Sequence, residues 1–342
     1  MNDSPPGLTP AAATDRGSGA RVPDVTRLAV MAHYDPEGAV RPHVRRQVEA
    51  LATDVEDVVV VSTAELTDAS RRWLGARVRL VERANYGYDF FSYKVGLDAA
   101  ADLTSYDEVV VCNDSYVGPL RSYGRIFAEM AERPADFWGL TATERVRPHL
   151  QSFFVAFRPW TVASAAFRDF WADMEPLSDR KKVIFRYEVG MSQRLYRAGF
   201  GSASYFTETE ADRRLGRRRV QWWAARRAGL RPRSKADLAL LRKRANEAWN
   251  PASGMADRAL DDGRLPFVKI DTLRYDPYGL GADRLLRLCE ERFPEQFDGV
   301  RRTLEETARF YPPRPQEVLR PTPLLLRPLA SSVRYDVPRG AR

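Results

Sequence analysis

Glu108-Val109-Val110-Val111-Cys112-Asn113-Asp114-Ser115-Tyr116-Val117-Gly118-Pro119 is the stretch whose reading decides the fold. Val109 to Cys112 form a short, uninterrupted apolar run, mostly β-branched. A strand buried on both faces of a parallel sheet needs such a run. It stops at the polar residues Asn113, Asp114 and Ser115, and then at Gly118-Pro119. In open α/β sheets, ligands bind beyond the carboxyl ends of the strands. A carboxylate placed there beside an amide and a hydroxyl offers hard oxygen donors, which suit a divalent cation carrying substrate phosphates. The same residue types also build turns and helix caps, so this cluster alone leaves both readings open.

The pattern repeats outward from this strand. Further strands are predicted at 27–32, 57–62, 77–82, 136–141 and 151–157, with that of the opening stretch at 106–112. Helical spacing falls at 40–52, 67–73, 91–101, 122–131, 167–174 and 188–198, the last closed by Gly199 as a cap. Short buried strands alternating with helices predict an α/β fold: a doubly wound, mainly parallel sheet with helices on both faces. Beyond it, 266–274 reads as extended and 285–293 as a helix. The expected organisation is a tail at 1–24, a core domain at 25–210, a basic helical region with packed C-terminal elements at 211–310, and a Pro/Arg-rich tail at 311–342.

Composition bounds the function. A chain of 342 residues, 44% hydrophobic, can bury a sizeable core. Cys112 and Cys289 are its only cysteines, and Cys112 falls in a predicted buried strand, which fits a reducing compartment better than a disulfide framework. The first residues lack a basic start followed by an apolar run, and no apolar stretch reaches the roughly 20 residues of a membrane span. The expectation is a cytoplasmic protein, able to lie peripherally on the inner face of the plasma membrane. The net charge of +8 is local: 213–244 holds 13 of the 54 basic residues against one acid, Asp237, leaving 41 basic and 45 acidic residues elsewhere. With Trp222 and Trp223 inside it and Leu238, Leu240 and Leu241 beyond Pro232, this segment is expected to meet an anionic membrane surface. A solvated basic helix is the plainer reading.

Polar clusters fall where the sheet's ligand edge is expected: His33-Tyr34-Asp35, Asn85 to Asp89, Asn113-Asp114-Ser115 and Tyr187-Glu188. Each has a structural alternative. His33 can be a satisfied loop residue, Asp89 a plain N-cap, and Glu188 an acid favoured at a helix start. As chemistry, Asp89 and the turn at Gly87 would hold a base or ribose, and Glu188 would deprotonate a hydroxyl.

The series Asn85-x-Gly87-x-Asp89, Asn113-Asp114-Ser115-x-x-Gly118-Pro119, Asp136-Phe137-Trp138-Gly139-Leu140-Thr141, His149-Leu150-Gln151-Ser152-Phe153-Phe154 and Tyr187-Glu188 resembles the rhamnan synthesis F family, rhamnosyltransferases of bacterial cell-surface polysaccharides. The resemblance covers about 28–205, with echoes at Asn250-Pro251 and Pro266-Phe267-Val268-Lys269. The layout is also similar to inverting glycosyltransferases of the GT-A fold. In those, an Asp-x-Asp after the fourth strand holds a metal and the diphosphate, and a Glu-Asp pair opening a later helix supplies the base. Here Asn113 and Ser115 stand in place of carboxylates, and Val189 in place of the second acid.

The resemblance implies a GT-A-like enzyme moving rhamnose from a dTDP-sugar, with inversion, to a hydroxyl of a cell-surface polysaccharide or lipid-linked glycan. It implies Asp114 as ligand of Mg²⁺ or Mn²⁺, helped by Asn113 and Ser115. His33, Tyr34, Asn85, Gly87 and Asp89 would hold the donor, Glu188 would be the base, and His149 and Gln151 would line the acceptor side. The rivals are a nucleic-acid-binding protein working through 213–244 and a nucleotidyltransferase. Nucleic acid is disfavoured, because binding it needs no polar clusters at strand ends. A nucleotidyltransferase usually opens with a Gly-rich loop after the first strand, where this chain has no glycine until Gly38.

Overall fold

The computed structural model describes residues 25–100, 102–228, 249–261, 263–313 and 327–337. Seven strands build the main sheet: β1 (Arg27–His33), β2 (Asp57–Ser62), β3 (Arg79–Glu82), β4 (Glu108–Asn113), β5 (Phe137–Gly139), β6 (Phe154–Phe157) and β7 (Ser202–Ser204). Their order is β7-β5-β6-β4-β1-β2-β3. All neighbours are parallel except β6, which runs antiparallel to both β4 and β5. The expected doubly wound, mainly parallel sheet is what the chain forms.

Alternation along the strands explains why their apolar runs are continuous. Ala29, Met31, Val58, Val60, Val110 and Cys112 face one core with the helices Pro42–Asp54 and Tyr123–Ala131. Leu28, Val30, Val59, Val61, Val109 and Val111 face another, with Tyr88–Ala99 and Ala165–Ala172. Each buried valine contributes roughly 1.5–3 kcal/mol over leaving it exposed, and a charge at Val111 would break both register and core.

The C-terminal region builds a third core around Leu273, Leu285, Leu286, Cys289 and Val300. It is tied to the sheet by a two-residue antiparallel pairing, Val268 with Val117 and Lys269 with Tyr116. The expected extended segment at 266–274 is therefore a strand only over Val268–Lys269, after which the chain turns helical at Ile270–Tyr275. Arg41 adds a second tie, reaching Asp35 at 2.6 Å, Glu37 at 2.7 Å and Glu306 at 2.9 Å.

One support of an expectation is lost here. Trp222 and Trp223 are only 7% and 8% exposed and pack into the third core, Trp223 edge-on to Tyr278. Arg219, 1% exposed, pairs with Asp257 rather than with solvent. The helix Glu210–Ala228 thus spends its tryptophans on packing, and the membrane-surface reading loses the support they gave it. Leu238, Leu240, Leu241 and Pro232 lie outside the described residues, as do 1–24. Among the described residues, no helix is long and apolar enough to cross a membrane. Near the chain's end, Arg327–Val333 is helical, and Tyr335 is fully buried with its hydroxyl donating to the Ser253 carbonyl at 2.6 Å. That stretch packs on the body instead of trailing from it.

Candidate active site

β1 and β4 lie side by side, with β2 and β3 beyond β1 and the rest of the sheet beyond β4. Strand order reverses at this pair, which is where a doubly wound sheet opens its ligand crevice. Asp114 spans the crevice: its Oδ2 accepts from the Tyr34 backbone N–H at 2.8 Å, and its own N–H donates to the Ala32 carbonyl. Burial pushes the Asp114 carboxyl up to about 7; the Tyr34 N–H opposes this, and the charges of Asp35 and Asp89 add to it.

Asn113 is committed on every side. Its backbone carbonyl accepts from Gln47 Nε2 at 3.0 Å, and its Oδ1 accepts from the Ser115 hydroxyl at 2.5 Å and the Ser115 N–H at 3.2 Å. Its Nδ2 donates to Asp89 Oδ2 at 2.9 Å. Asp89 stands in the first turn of Tyr88–Ala99, and burial together with the charge of Glu188 raises its carboxyl's pKa. The turn before it needs its glycine: Gly87 has φ +73°, and a Cβ there would lie 2.6 Å from Phe91 Cβ. Arg83 staples the turn, donating to the carbonyls of Ala84, Tyr86 and Tyr88 at 2.9, 2.7 and 3.0 Å. Asn85 is left exposed, as are the rings of Tyr34, Tyr86 and Tyr88.

Glu188 does not open a helix. Asp179 caps a helix beginning at Arg180, which continues as a π-helical segment, Ile184–Val189, and then as Gly190–Arg197. Glu188 sits in the π segment, a geometry often found at functional sites. Its Oε2 accepts from the Ser152 N–H at 3.0 Å and hydroxyl at 2.5 Å, and its Oε1 faces His149 Nε2 at 3.6 Å. Burial would raise this carboxyl's pKa, but the two hydrogen bonds from Ser152 and the nearby His149 ring outweigh it and hold it below the ordinary value. Gln151 is turned away, its Oε1 accepting from Thr141 at 2.8 Å. His33 is 2% exposed, with Nδ1 on Ser62 at 3.0 Å and Nε2 unpartnered; burial lowers its pKa to about 4.

Lys269 lies against these residues; the sequence reading placed it in the echo at Pro266-Phe267-Val268-Lys269 but gave it no role in the site. Its ammonium donates to Ser115 Oγ and lies 4.2 Å from the Phe153 ring centroid. Burial lowers its pKa to about 8, against the opposing charges of Asp271, Glu188 and Asp89. Tyr311 also approaches, close enough to sense Asp114 and Tyr34. His43, buried with Nδ1 unpartnered, lies against the Asp114 backbone.

The donor set does not suit a divalent cation. Asn113 Oδ1 is taken by Ser115, and Ser115 Oγ receives the lysine ammonium. Asp114 is then the one carboxylate of the expected trio, and no group of three or more His, Cys, Asp or Glu fit to hold a metal occurs among the described residues. A separate cavity of about 640 Å³ opens in the C-terminal region between Trp222, Arg284, Arg287 and Arg334, and none of its lining residues belongs to the cluster at Asp114.

An uncharacterised protein, y4gN, of Sinorhizobium fredii is 27% identical over 192 residues, covering 54% of this chain and 50% of that protein. The chain thus spans about half the length of this curated relative. Among solved structures, S. aureus TarS 1-349 is 15% identical, covering 83% of this chain and 92% of that one, with a TM-score of 0.36. A nucleotidyl transferase from Methanothermobacter (Mth528) is 12% identical, covering 64% and 97%, with a TM-score of 0.34. The family model described as rhamnan synthesis protein F matches residues 58–226, taking in β2 to β7, Asp89, Asp114 and Glu188. Over that span, just under half of its length, this chain is similar to the rhamnan synthesis protein F family.

Proposed function

We propose that this protein is a glycosyltransferase of polysaccharide synthesis, moving a sugar, rhamnose from a dTDP-linked donor, to a hydroxyl of a cell-surface polysaccharide or lipid-linked glycan. The observation that carries the reading is the pairing of an ionised Glu188 with the Asp89-Asn113-Asp114 cluster across one crevice at the switch point. The family match supports polysaccharide synthesis, and the choice of rhamnose rests on it.

In this reading the donor's nucleotide lies along the 85–89 turn and the β1 edge. The exposed rings of Tyr34, Tyr86 and Tyr88 offer faces for a base to stack on, and Asp89, held by Asn113, offers a polar partner for the ribose. The acceptor hydroxyl oxygen attacks the anomeric carbon and forms the new C–O bond. The bond from that carbon to the diphosphate breaks, and its electron pair leaves on the phosphate oxygen. The hydroxyl proton goes to Glu188, which Ser152 and His149 hold ionised and oriented. A single displacement from the opposite face inverts the anomeric centre.

A thermal-shift screen against dTDP-rhamnose, UDP-glucose, UDP-GlcNAc and GDP-mannose, followed by nucleoside diphosphate release with an acceptor glycan, tests the proposal. Stabilisation by a nucleotide sugar and acceptor-dependent release are expected. Failure of every nucleotide sugar to bind would overturn it.

A further inference from the structure

Lys269 enters the site from the far end of the chain. Two residues of strand pairing, Lys269 opposite Tyr116 and Val268 opposite Val117, fix its backbone beside the β4 exit. The Ile270 N–H adds a bond to the Ser115 carbonyl at 2.9 Å, and Leu120 N–H one to the Pro266 carbonyl at 2.8 Å. The side chain is laid over the Phe153 ring and ends on Ser115 Oγ. From there hydrogen bonds run without a break through Asn113 to Asp89.

This placement is costly for structure alone. Among the described residues the ammonium has no carboxylate in ion-pair contact; Asp271, Glu188 and Asp89 act on it only from a distance. A partly buried cation lacking a contact partner is retained at a cost. An ammonium carries three donors, and Ser115 takes one. The other two point at no described acceptor, beside the strand end where a diphosphate would bind. The hydroxyl and amide that would otherwise ligate a metal are already bonded to the lysine and to each other.

We propose that Lys269 does the work of the divalent cation: it neutralises the donor's diphosphate and stabilises the oxygen that takes the electron pair as the glycosyl–phosphate bond breaks, so that donor binding and transfer need no metal. The inference rests on the glycosyltransferase reading and adds to it the source of positive charge. The ammonium keeps its proton throughout and acts by hydrogen bond and charge, with no bond of its own made or broken. The strand pairing supplies the preorganisation that coordination geometry would otherwise supply.

The test is calorimetric binding of UDP, dTDP, GDP and CDP to the full chain in EDTA and in Mn²⁺, for the wild type, Lys269→Met and Lys269→Arg. The wild type should bind at least one nucleoside diphosphate in EDTA, with Mn²⁺ changing the affinity by less than about threefold, a margin under 1 kcal/mol. Lys269→Met should weaken that binding about 30-fold or more, the effect of truncating one partner of a buried charge pair, and Lys269→Arg should recover most of it. Turnover in EDTA should follow the same order. The wild-type metal comparison involves no mutation and stands even if a variant folds poorly. Binding that requires Mn²⁺, or a Lys269→Met chain that folds and binds normally, would overturn the inference and leave the glycosyltransferase reading intact. No binding of any nucleoside diphosphate under either condition would overturn both.

Discussion

Asp114 and Glu188 both lie within charge range of Asp89, both largely withdrawn from water, and they are treated in opposite ways. Asp114 receives one N–H, from Tyr34, and has acids for neighbours, so burial wins and its pKa climbs to about 7. Glu188 receives two hydrogen bonds from Ser152 and faces His149, so donors win and its pKa stays low. Burial alone does not set a carboxylate's charge; the number of donors aimed at it does. In the proposed function, two carboxylates driven apart in pKa divide the labour between holding the donor and accepting a proton.

The comparison can be broken at several points. The largest expected effect is that of Asp114→Ala on transfer: turnover should fall by about 10²–10³-fold, as when one preorganised donor is removed, because a carboxyl that keeps its proton to about pH 7 can donate to a phosphate oxygen. Steady-state release of nucleoside diphosphate reads it, and near-normal turnover would remove Asp114 from the site. Glu188→Gln should lower kcat by about 10²–10⁴-fold while leaving donor affinity within about threefold, because an amide keeps the shape and cannot take the proton. If affinity collapses instead, Glu188 belongs to the donor half and the division of labour is wrong.

Ser152→Ala sharpens the comparison by degree. It removes the 2.5 Å hydroxyl donor but leaves the 3.0 Å backbone N–H. The Glu188 pKa should rise, moving the acidic limb of the kcat–pH profile to higher pH. An unmoved limb would mean that another group controls it.

The smallest effect is on stability, and its sign is opposite to that on activity. A carboxyl whose folded pKa is raised from 3.8 to about 7 favours the fold below 3.8, and this contribution is lost as pH rises through 7. Asp114→Asn should therefore stabilise the protein at pH 8 by roughly 1–3 kcal/mol relative to pH 4, read as a difference in urea midpoints. An equal effect at both pH values would show that Asp114 ionises freely in the folded state.

Much of this was legible locally. The β-branched runs located β2 and β4, because a strand buried on both faces must be apolar throughout, and the polar residues after them located the crevice. What failed were long-range facts. The helix carrying Glu188 starts eight residues earlier than expected, at Arg180. Its signal was Asp179, a cap ahead of the cationic Arg180-Lys181-Lys182 run rather than of an apolar one. Trp222 and Trp223 read as interfacial because aromatic residues among cations look the same whether they meet lipid or a core. The core that takes them is built from Leu273, Tyr278 and Leu285, which no local pattern connects to that helix. The place of Lys269 beside Ser115 was missed for the same reason: its position is set by pairing with Tyr116, far upstream, and nothing in either dipeptide encodes that register.

The most direct test of the division between the two carboxylates is a ¹³C NMR titration of the side-chain carboxyl carbons in EDTA, with Asp114 and Glu188 assigned by difference against Asp114→Asn and Glu188→Gln. Asp114 should titrate near pH 7 and Glu188 below 4.5. Midpoints that coincide in the ordinary carboxylate range, or a Glu188 midpoint above that of Asp114, would contradict the account.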